Sequence, residues 1–169
     1  VMLLAVFPFE KRVNNNVKAF NDKLDGYSPI NLGDNFVAHI RQTSTGLYVT
    51  ERNGNVCVSN GVFDNTQIWN FIRNSDGTYT IKSHASNKVM DVAGANYSDG
   101  TNIQMYENTG HDAQKFFLYY IFGSFYLKSV GDKTVDVDSN SKNVQLYGCS
   151  TGYAEKDRDP SAFNARSFD

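Results

Sequence analysis

Between residues 79 and 147 the chain states one pattern twice. Tyr79-Thr80-Ile81-Lys82-Ser83, Lys88-Val89-Met90-Asp91-Val92 and Asn102-Ile103-Gln104-Met105-Tyr106 return as Tyr126-Leu127-Lys128-Ser129, Lys133-Thr134-Val135-Asp136-Val137 and Asn143-Val144-Gln145-Leu146-Tyr147. The shift is 45 residues at Asp91 and Asp136 and 41 at Tyr106 and Tyr147. A period of roughly 20 to 50 residues marks one supersecondary unit used again along a chain. A more divergent first copy precedes them, in Phe36-Val37-Ala38-His39-Ile40-Arg41, Leu47-Tyr48-Val49 and Asn55-Val56-Cys57-Val58. Each copy ends in a similar element, Gln67-Ile68-Trp69, Gln114-Lys115-Phe116 or Arg166-Ser167-Phe168, with Asn65, Asp112 or Asn164 two residues ahead of it. The last interval is the longest, which places an insertion within residues 148–163.

Inside each copy apolar and polar residues alternate over four to six positions, between clusters of Gly, Asn, Ser and Asp. That is the pattern of short antiparallel strands joined by turns. No long helical period follows residue 33. A unit of about four strands cannot bury its apolar face alone, so three of them are expected to close around a shared core, which also removes exposed sheet edges. The expected fold is an all-β, three-lobed barrel with repeats near residues 33–77, 78–123 and 124–169. Trp69, Phe116 and Phe168 are expected to fill its centre, one from each lobe.

With 169 residues, 40% hydrophobic and 14% aromatic, the chain can bury a core but is short for two full domains. A net charge of −2, with lysines and arginines scattered among acidic residues, gives no footprint for nucleic acid. No apolar run reaches the ~18 residues of a membrane span. Cys57 and Cys149 fall on different copies at different phases, so two free thiols are expected. His39, His84 and His111 lack metal-ligand spacing, and Asp132, Asp136 and Asp138 lack the calcium-loop pattern, so neither metal nor cofactor is expected.

Residues 1–32 stand outside the repeat. Val1-Met2-Leu3-Leu4-Ala5-Val6-Phe7 is an apolar run ended by Pro8, and Val13, Val17, Phe20 and Leu24 recur at helical spacing. The reading is a buried strand, then an amphipathic helix, then a linker at Asp25-Gly26-Tyr27-Ser28-Pro29. A signal-peptide core is the competing reading, but it lacks a basic leader and a small-residue cleavage site. The chain opens on Val1, as if cut from something longer. This strand and helix resemble the end of an esterase domain of the SGNH hydrolase family, over about 24 residues, without a nucleophilic serine or an Asp-x-x-His.

Three copies closing on a Gln-x-aromatic element, with Asp-Val and Gln-x-Tyr at fixed places, resemble the ricin-type lectin family, whose Q-x-W repeats are also grouped as a carbohydrate-binding module family. The resemblance covers residues 33–169 and is closest from Val89 to Phe116. It implies a β-trefoil, three four-stranded repeats with pseudo-threefold symmetry, and one shallow sugar pocket per repeat. In such pockets an aspartate and an aromatic after the third strand make the contact, here Asp91 with Tyr106 and Asp136 with Tyr147. A pyranose has a polar edge and an apolar face; a carboxylate accepts from neighbouring hydroxyls and a phenol ring supplies rigid apolar area. Gln104 and Gln145 lie two residues before those tyrosines, on the same strand face. The family commonly has Asn immediately before the closing Gln; here Ala113 and Ala165 stand there, with Asp112 and Asn164 one residue earlier as the candidate pocket residues, which departs from the family's galactose-reading set. Gln67 and Gln114 are expected mainly to satisfy backbone groups, with Gln114 also a candidate contact. In the first copy Val49 or Thr50 replaces the aspartate, and Cys57 and Ser59 replace Gln and Tyr, so no working pocket is expected there.

The resemblance therefore implies a secreted, non-catalytic, monomeric module of a multidomain protein, binding galactosides or plant cell-wall polysaccharide and directing an attached enzyme to them. Plainer readings stay open at each residue: the aspartates as turn or cap formers, the tyrosines as strand residues covering the barrel. Two rival functions also stay open, the C-terminal part of a carbohydrate esterase or glycoside hydrolase, and a protein-interaction trefoil.

Overall fold

The computed structural model describes residues 20–149 and Thr151. Eleven strands run through the described residues: β1 (Asn35–Ala38), β2 (Tyr48–Arg52), β3 (Asn55–Ser59), β4 (Trp69–Arg73), β5 (Tyr79–Ser83), β6 (Val89–Val92), β7 (Ile103–Tyr106), β8 (Phe116–Ile121), β9 (Ser124–Ser129), β10 (Thr134–Val137) and β11 (Val144–Tyr147). β1–β4 form lobe 1, β5–β8 lobe 2 and β9–β11 lobe 3. The expected fourth strand of lobe 3 and the core position of Phe168 fall outside the described residues.

The fold is a β-trefoil. Barrel staves follow one another as β1, β4, β5, β8 and β9, each antiparallel to the next. The hairpins β2–β3, β6–β7 and β10–β11 make the cap. Asn53-Gly54 turns the first hairpin with φ of 51° and 74°. Two successive left-handed residues match the right-handed twist of the strands they join. Alternation along the strands sends Val56, Val58, Trp69, Ile81, Ile103 and Phe116 into a common core. Trp69 and Phe116 are fully buried, as expected, and the Trp69 indole N–H donates to the Val49 carbonyl at 3.0 Å. An apolar cavity of about 270 Å³ opens between β1 and β9, lined by Phe36, Ala38, Leu118, Phe125 and Leu127. Cys57 and Cys149 are both free.

The three caps meet in a closed ring of asparagines. Asn55 Nδ2 donates to Asn143 Oδ1 at 2.8 Å, Asn143 Nδ2 to Asn102 Oδ1 at 2.9 Å, and Asn102 Nδ2 to Asn55 Oδ1 at 2.8 Å. Asn is the residue that all three copies keep at the head of this strand, and head-to-tail pairing around the pseudo-threefold explains why: each amide gives and takes one bond. Asn102→Ala removes two of the three bonds and leaves a part-buried donor and acceptor unmatched. Urea denaturation should show a loss of about 1–3 kcal/mol with an unchanged m-value. An unchanged midpoint would mean that the ring contributes nothing to closure.

Residues 20–30 are not a loose linker. Phe20 to Lys23 lie in no helix, and Leu24 pairs with Tyr27 around a left-handed Asp25-Gly26 turn with φ of 48° and 81°. The helix expected to run through Leu24 therefore does not extend over these residues; the rest of that element, residues 1–19, lies outside the described chain. The carbonyls a helix would use internally are taken by the barrel instead. Lys128 Nζ donates to the carbonyls of Asn21 at 2.5 Å and Lys23 at 3.0 Å, and Tyr119 Oη donates to that of Asp22 at 2.8 Å. Leu24 is fully buried in a second apolar cluster with Phe117, Tyr119, Ile121, Tyr126 and Val130.

Candidate functional site

Strand register brings the expected residues of lobe 2 onto one face. Asp91 lies directly opposite Gln104, and Val89 opposite Tyr106. Directly opposed residues share a face, as do residues two apart on one strand, so Asp91, Gln104 and Tyr106 point the same way. The Gln104 amide donates to Asp91 Oδ1 at 3.1 Å and the Gln114 amide to Oδ2 at 3.0 Å. Asp91 is 8% exposed, whereas Tyr106 is 52% exposed. The carboxylate is thus fixed by two amides, one on each oxygen, and each oxygen has lone-pair capacity beyond that bond. Together these groups, the lobe 2 cup, set an anchored acceptor and an exposed phenol ring on one face of the hairpin.

Gln114 connects the cup to its loop. Its fully buried side chain accepts at Oε1 from the N–H groups of Thr109 at 2.9 Å and Gly110 at 3.2 Å, and its Nε2 also donates to the Glu107 carbonyl at 2.8 Å. It is delivered by a short 3₁₀ turn, Asp112–Gln114, capped by His111 Nδ1 accepting from the Ala113 N–H at 3.2 Å. Gln114 thus satisfies backbone groups and holds the aspartate. The Asp112 carboxylate pairs with Lys115 at 3.2 Å, and Lys115 also pairs with Asp76 at 3.1 Å. Burial raises the pKa of Asp76, but bonds from Thr78 and the Lys115 ammonium outweigh this and leave it below its usual range.

Lobe 3 repeats the arrangement with looser geometry. Asp136 opposes Gln145 and Thr134 opposes Tyr147. Gln145 Nε2 donates to Asp136 Oδ2 at 3.4 Å; Asp136 is 8% and Tyr147 44% exposed. Asn164, expected beside this pocket, lies outside the described residues. In lobe 1 the register settles which residue replaces the aspartate: Thr50 faces Cys57, and Tyr48 faces Ser59.

Tyr97 was not singled out from sequence, yet it borders the lobe 2 cup. Burial, then the charges of Asp112 and Asp91, push its hydroxyl pKa up. Its ring lies on Gly131 of lobe 3, where an added methyl would sit 1.9 Å from Tyr97 Cγ. Asp99 seats the same connection on lobe 3, accepting from Lys133 Nζ and from the Gly148 N–H, each at 2.8 Å. The available signal was the longer β6–β7 connection, which lobe 3 lacks and which makes the shift at Tyr106 and Tyr147 smaller than that at Asp91 and Asp136.

Among the described residues no helix is long and apolar enough to cross a membrane, and no group of three or more His, Cys, Asp or Glu could hold a metal ion. The profile of the ricin-type β-trefoil lectin domain-like family matches residues 30–106 and again residues 65–151. The chain belongs to this family. No curated protein matches it by sequence. Among solved structures it is similar to ThreeFoil, a designed threefold-symmetric protein, with 24% identity, a TM-score of 0.66 and coverage of 78% of this chain and 95% of that one. It is similar to a Polyporus squamosus lectin bound to a human-type influenza-binding epitope, at 18% identity and a TM-score of 0.67, over 82% of this chain and 49% of the lectin. An exo-β-1,3-galactanase from Clostridium thermocellum matches at 15% identity and a TM-score of 0.64, over 77% of this chain and 28% of the enzyme. At these identities the likeness is one of fold.

Proposed function

We propose that the protein is a non-catalytic carbohydrate-binding module with working cups in lobes 2 and 3. The observation that carries this reading is the repeated rung: a nearly buried aspartate, bonded by the glutamine opposite it, with an exposed tyrosine two residues along the same face. Family membership supports it. Each cup offers an acceptor for hydroxyls and an apolar ring for a sugar face, which suits a galactoside or a plant cell-wall polysaccharide. A single shallow cup of this kind commonly reaches only about −4 kcal/mol, near millimolar affinity. Two on one rigid body gain by engaging the same polymer. The role is then to hold an attached enzyme on a glycan outside the cell; likeness to part of a galactanase agrees with it.

A glycan array and pull-down on insoluble galactan and xylan, run with the full chain, test the reading. Retention on a glycan is expected. A blank array with a protein partner captured in its place would favour an interaction trefoil. Turnover of acetylated xylan or nitrophenyl esters would favour the esterase alternative.

A further inference from the structure

Lobe 1 keeps the frame of a cup and changes its lining. At the rung where lobes 2 and 3 carry Val89 opposite Tyr106 and Thr134 opposite Tyr147, lobe 1 carries Tyr48 opposite Ser59. The aromatic has crossed to the partner strand while staying on the same face of the hairpin. A second aromatic joins it. Gln67 Oε1 accepts from the N–H groups of Val62 at 2.8 Å and Phe63 at 3.1 Å, as Gln114 does from Thr109 and Gly110. Phe63 therefore stands where lobe 2 has Gly110. Both are left-handed, with φ of 54° and 72°. Glycine adopts that conformation freely; phenylalanine is strained there, and strain of this kind points to a function. Burial does not explain it, since Phe63 is 61% exposed.

The rings form one edge-to-face cluster, with Phe63 its most exposed member. Tyr48 and Phe63 lie 5.1 Å apart, His39 and Phe63 5.6 Å, and His39 and Tyr48 6.2 Å, all edge to face. Gly61 makes room for them, because a methyl there would sit 2.8 Å from Phe63 Cζ and 3.1 Å from Tyr48 Cε2. The polar floor is closed. Thr50 Oγ1 donates to the Tyr48 carbonyl at 2.8 Å, takes the Gln67 amide at 2.9 Å and lies 2.8 Å from Ser59 Oγ. His39 Nδ1 donates to the Gln67 carbonyl at 2.8 Å, since a carbonyl only accepts.

We infer that lobe 1 is a third glycan contact of different chemistry: a carboxylate-free platform of Tyr48, Phe63 and His39 whose exposed Phe63 ring stacks on the apolar C–H face of a pyranose. This rests on the carbohydrate-binding reading of the other two lobes. With no carboxylate to read hydroxyl positions, the platform accepts sugars that differ in hydroxyl configuration, while the aspartate cups discriminate among them. Rings with an electron-rich face attract the C–H groups of whichever pyranose lies across them.

The test is a ¹⁵N-resolved NMR titration of the full chain with methyl β-galactopyranoside and, separately, methyl β-xylopyranoside. Amides of Tyr48, Gly61 and Phe63 should respond to both sugars, and those around Asp91 and Asp136 should respond more strongly to one. Phe63→Gly should melt no lower than the parent, since glycine suits this backbone, and should weaken the lobe 1 response by about five- to tenfold with lobes 2 and 3 unchanged. Response in lobes 2 and 3 without any in lobe 1 overturns the inference and leaves the proposed function standing. So does a Phe63→Gly protein that melts lower but binds as before, which marks the ring as packing. Silence in every lobe with both sugars removes the proposed function and this inference with it.

Discussion

Replacing Asp91 and Asp136 together by alanine is expected to abolish retention on whichever insoluble glycan holds the parent chain, a drop of about 10² to 10⁴ in apparent affinity. Either single variant should keep one cup, aided only by the weaker lobe 1 contact, and bind well below the parent, toward the millimolar level of an isolated site. The steep difference comes from geometry: the two rungs are rigid parts of one cap, so a polymer held by one cup presents its neighbouring sugars to the other at high effective concentration. Lobe 1 does not rescue retention, because one weak platform alone gives no avidity, although it still responds to free sugar. The alanine variants need a stability control. Asp91 is 8% exposed and both its oxygens accept glutamine amides, so its removal leaves Gln104 without that partner and costs about 1–3 kcal/mol. Gln114 is less affected, since its amide also reaches the Glu107 carbonyl. Near-ultraviolet circular dichroism separates lost binding from lost folding. A folded double variant retained as well as the parent would sink the two-cup reading.

Periodicity carried the fold because the units repeat at the level of single strand positions. Asn55, Asn102 and Asn143 align in the sequence and meet in space, and the Asp, Gln and Tyr positions align in the two copies that keep them. The pairing of Asp91 with Gln104 was within reach of the same alternation, since a strand period of two puts Gln104 and Tyr106 on one face. What escaped is what breaks the symmetry. Lys82 and Lys128 hold equivalent positions, each opposite the start of the next strand, Val89 or Thr134. Lys82 is half-buried as a strand lysine is expected to be, yet Lys128 is fully buried, because residues 20–27 cover the β8–β9 hairpin on which it lies. No repeat alignment contains that information. Phe63 escaped for a related reason: the left-handed backbone at its position is imposed by Gln67, four residues later, and is visible only once its counterpart is seen to be Gly110.

Lys128→Met is expected to lower stability by about 2–4 kcal/mol and the melting temperature by roughly 5–10 °C, read by calorimetry on the full chain. Methionine keeps an apolar stem but supplies no donor, and it loses the ammonium that lies 5.8 Å from the centre of the Phe117 ring. The Asn21 and Lys23 carbonyls lose this donor, and Asp132 Oδ1, 2.8 Å from the ammonium, loses its ion pair while keeping its bonds from Asn21 and Cys149. Burial raises the Asp132 pKa, yet the Lys128 ammonium and the Cys149 and Asn21 bonds bring it below the usual range. A buried cation replaced by an apolar residue of similar volume is often neutral or stabilising. Here the ammonium does more than sit in the core, because it is the clasp between the barrel and the segment that buries Leu24. Without it the 20–27 segment should open and expose Leu24, Tyr119 and Tyr126, so limited proteolysis within residues 20–30 should quicken in step with the loss of stability. Sugar binding in lobe 2 should survive, since Asp91 is held by Gln104 and Gln114 and not by the clasp. A variant that melts like the parent and resists cleavage would mean that apolar packing of Leu24 alone holds the segment, and the point at which the chain enters the trefoil would then be set by a hydrophobic contact instead of a charged one.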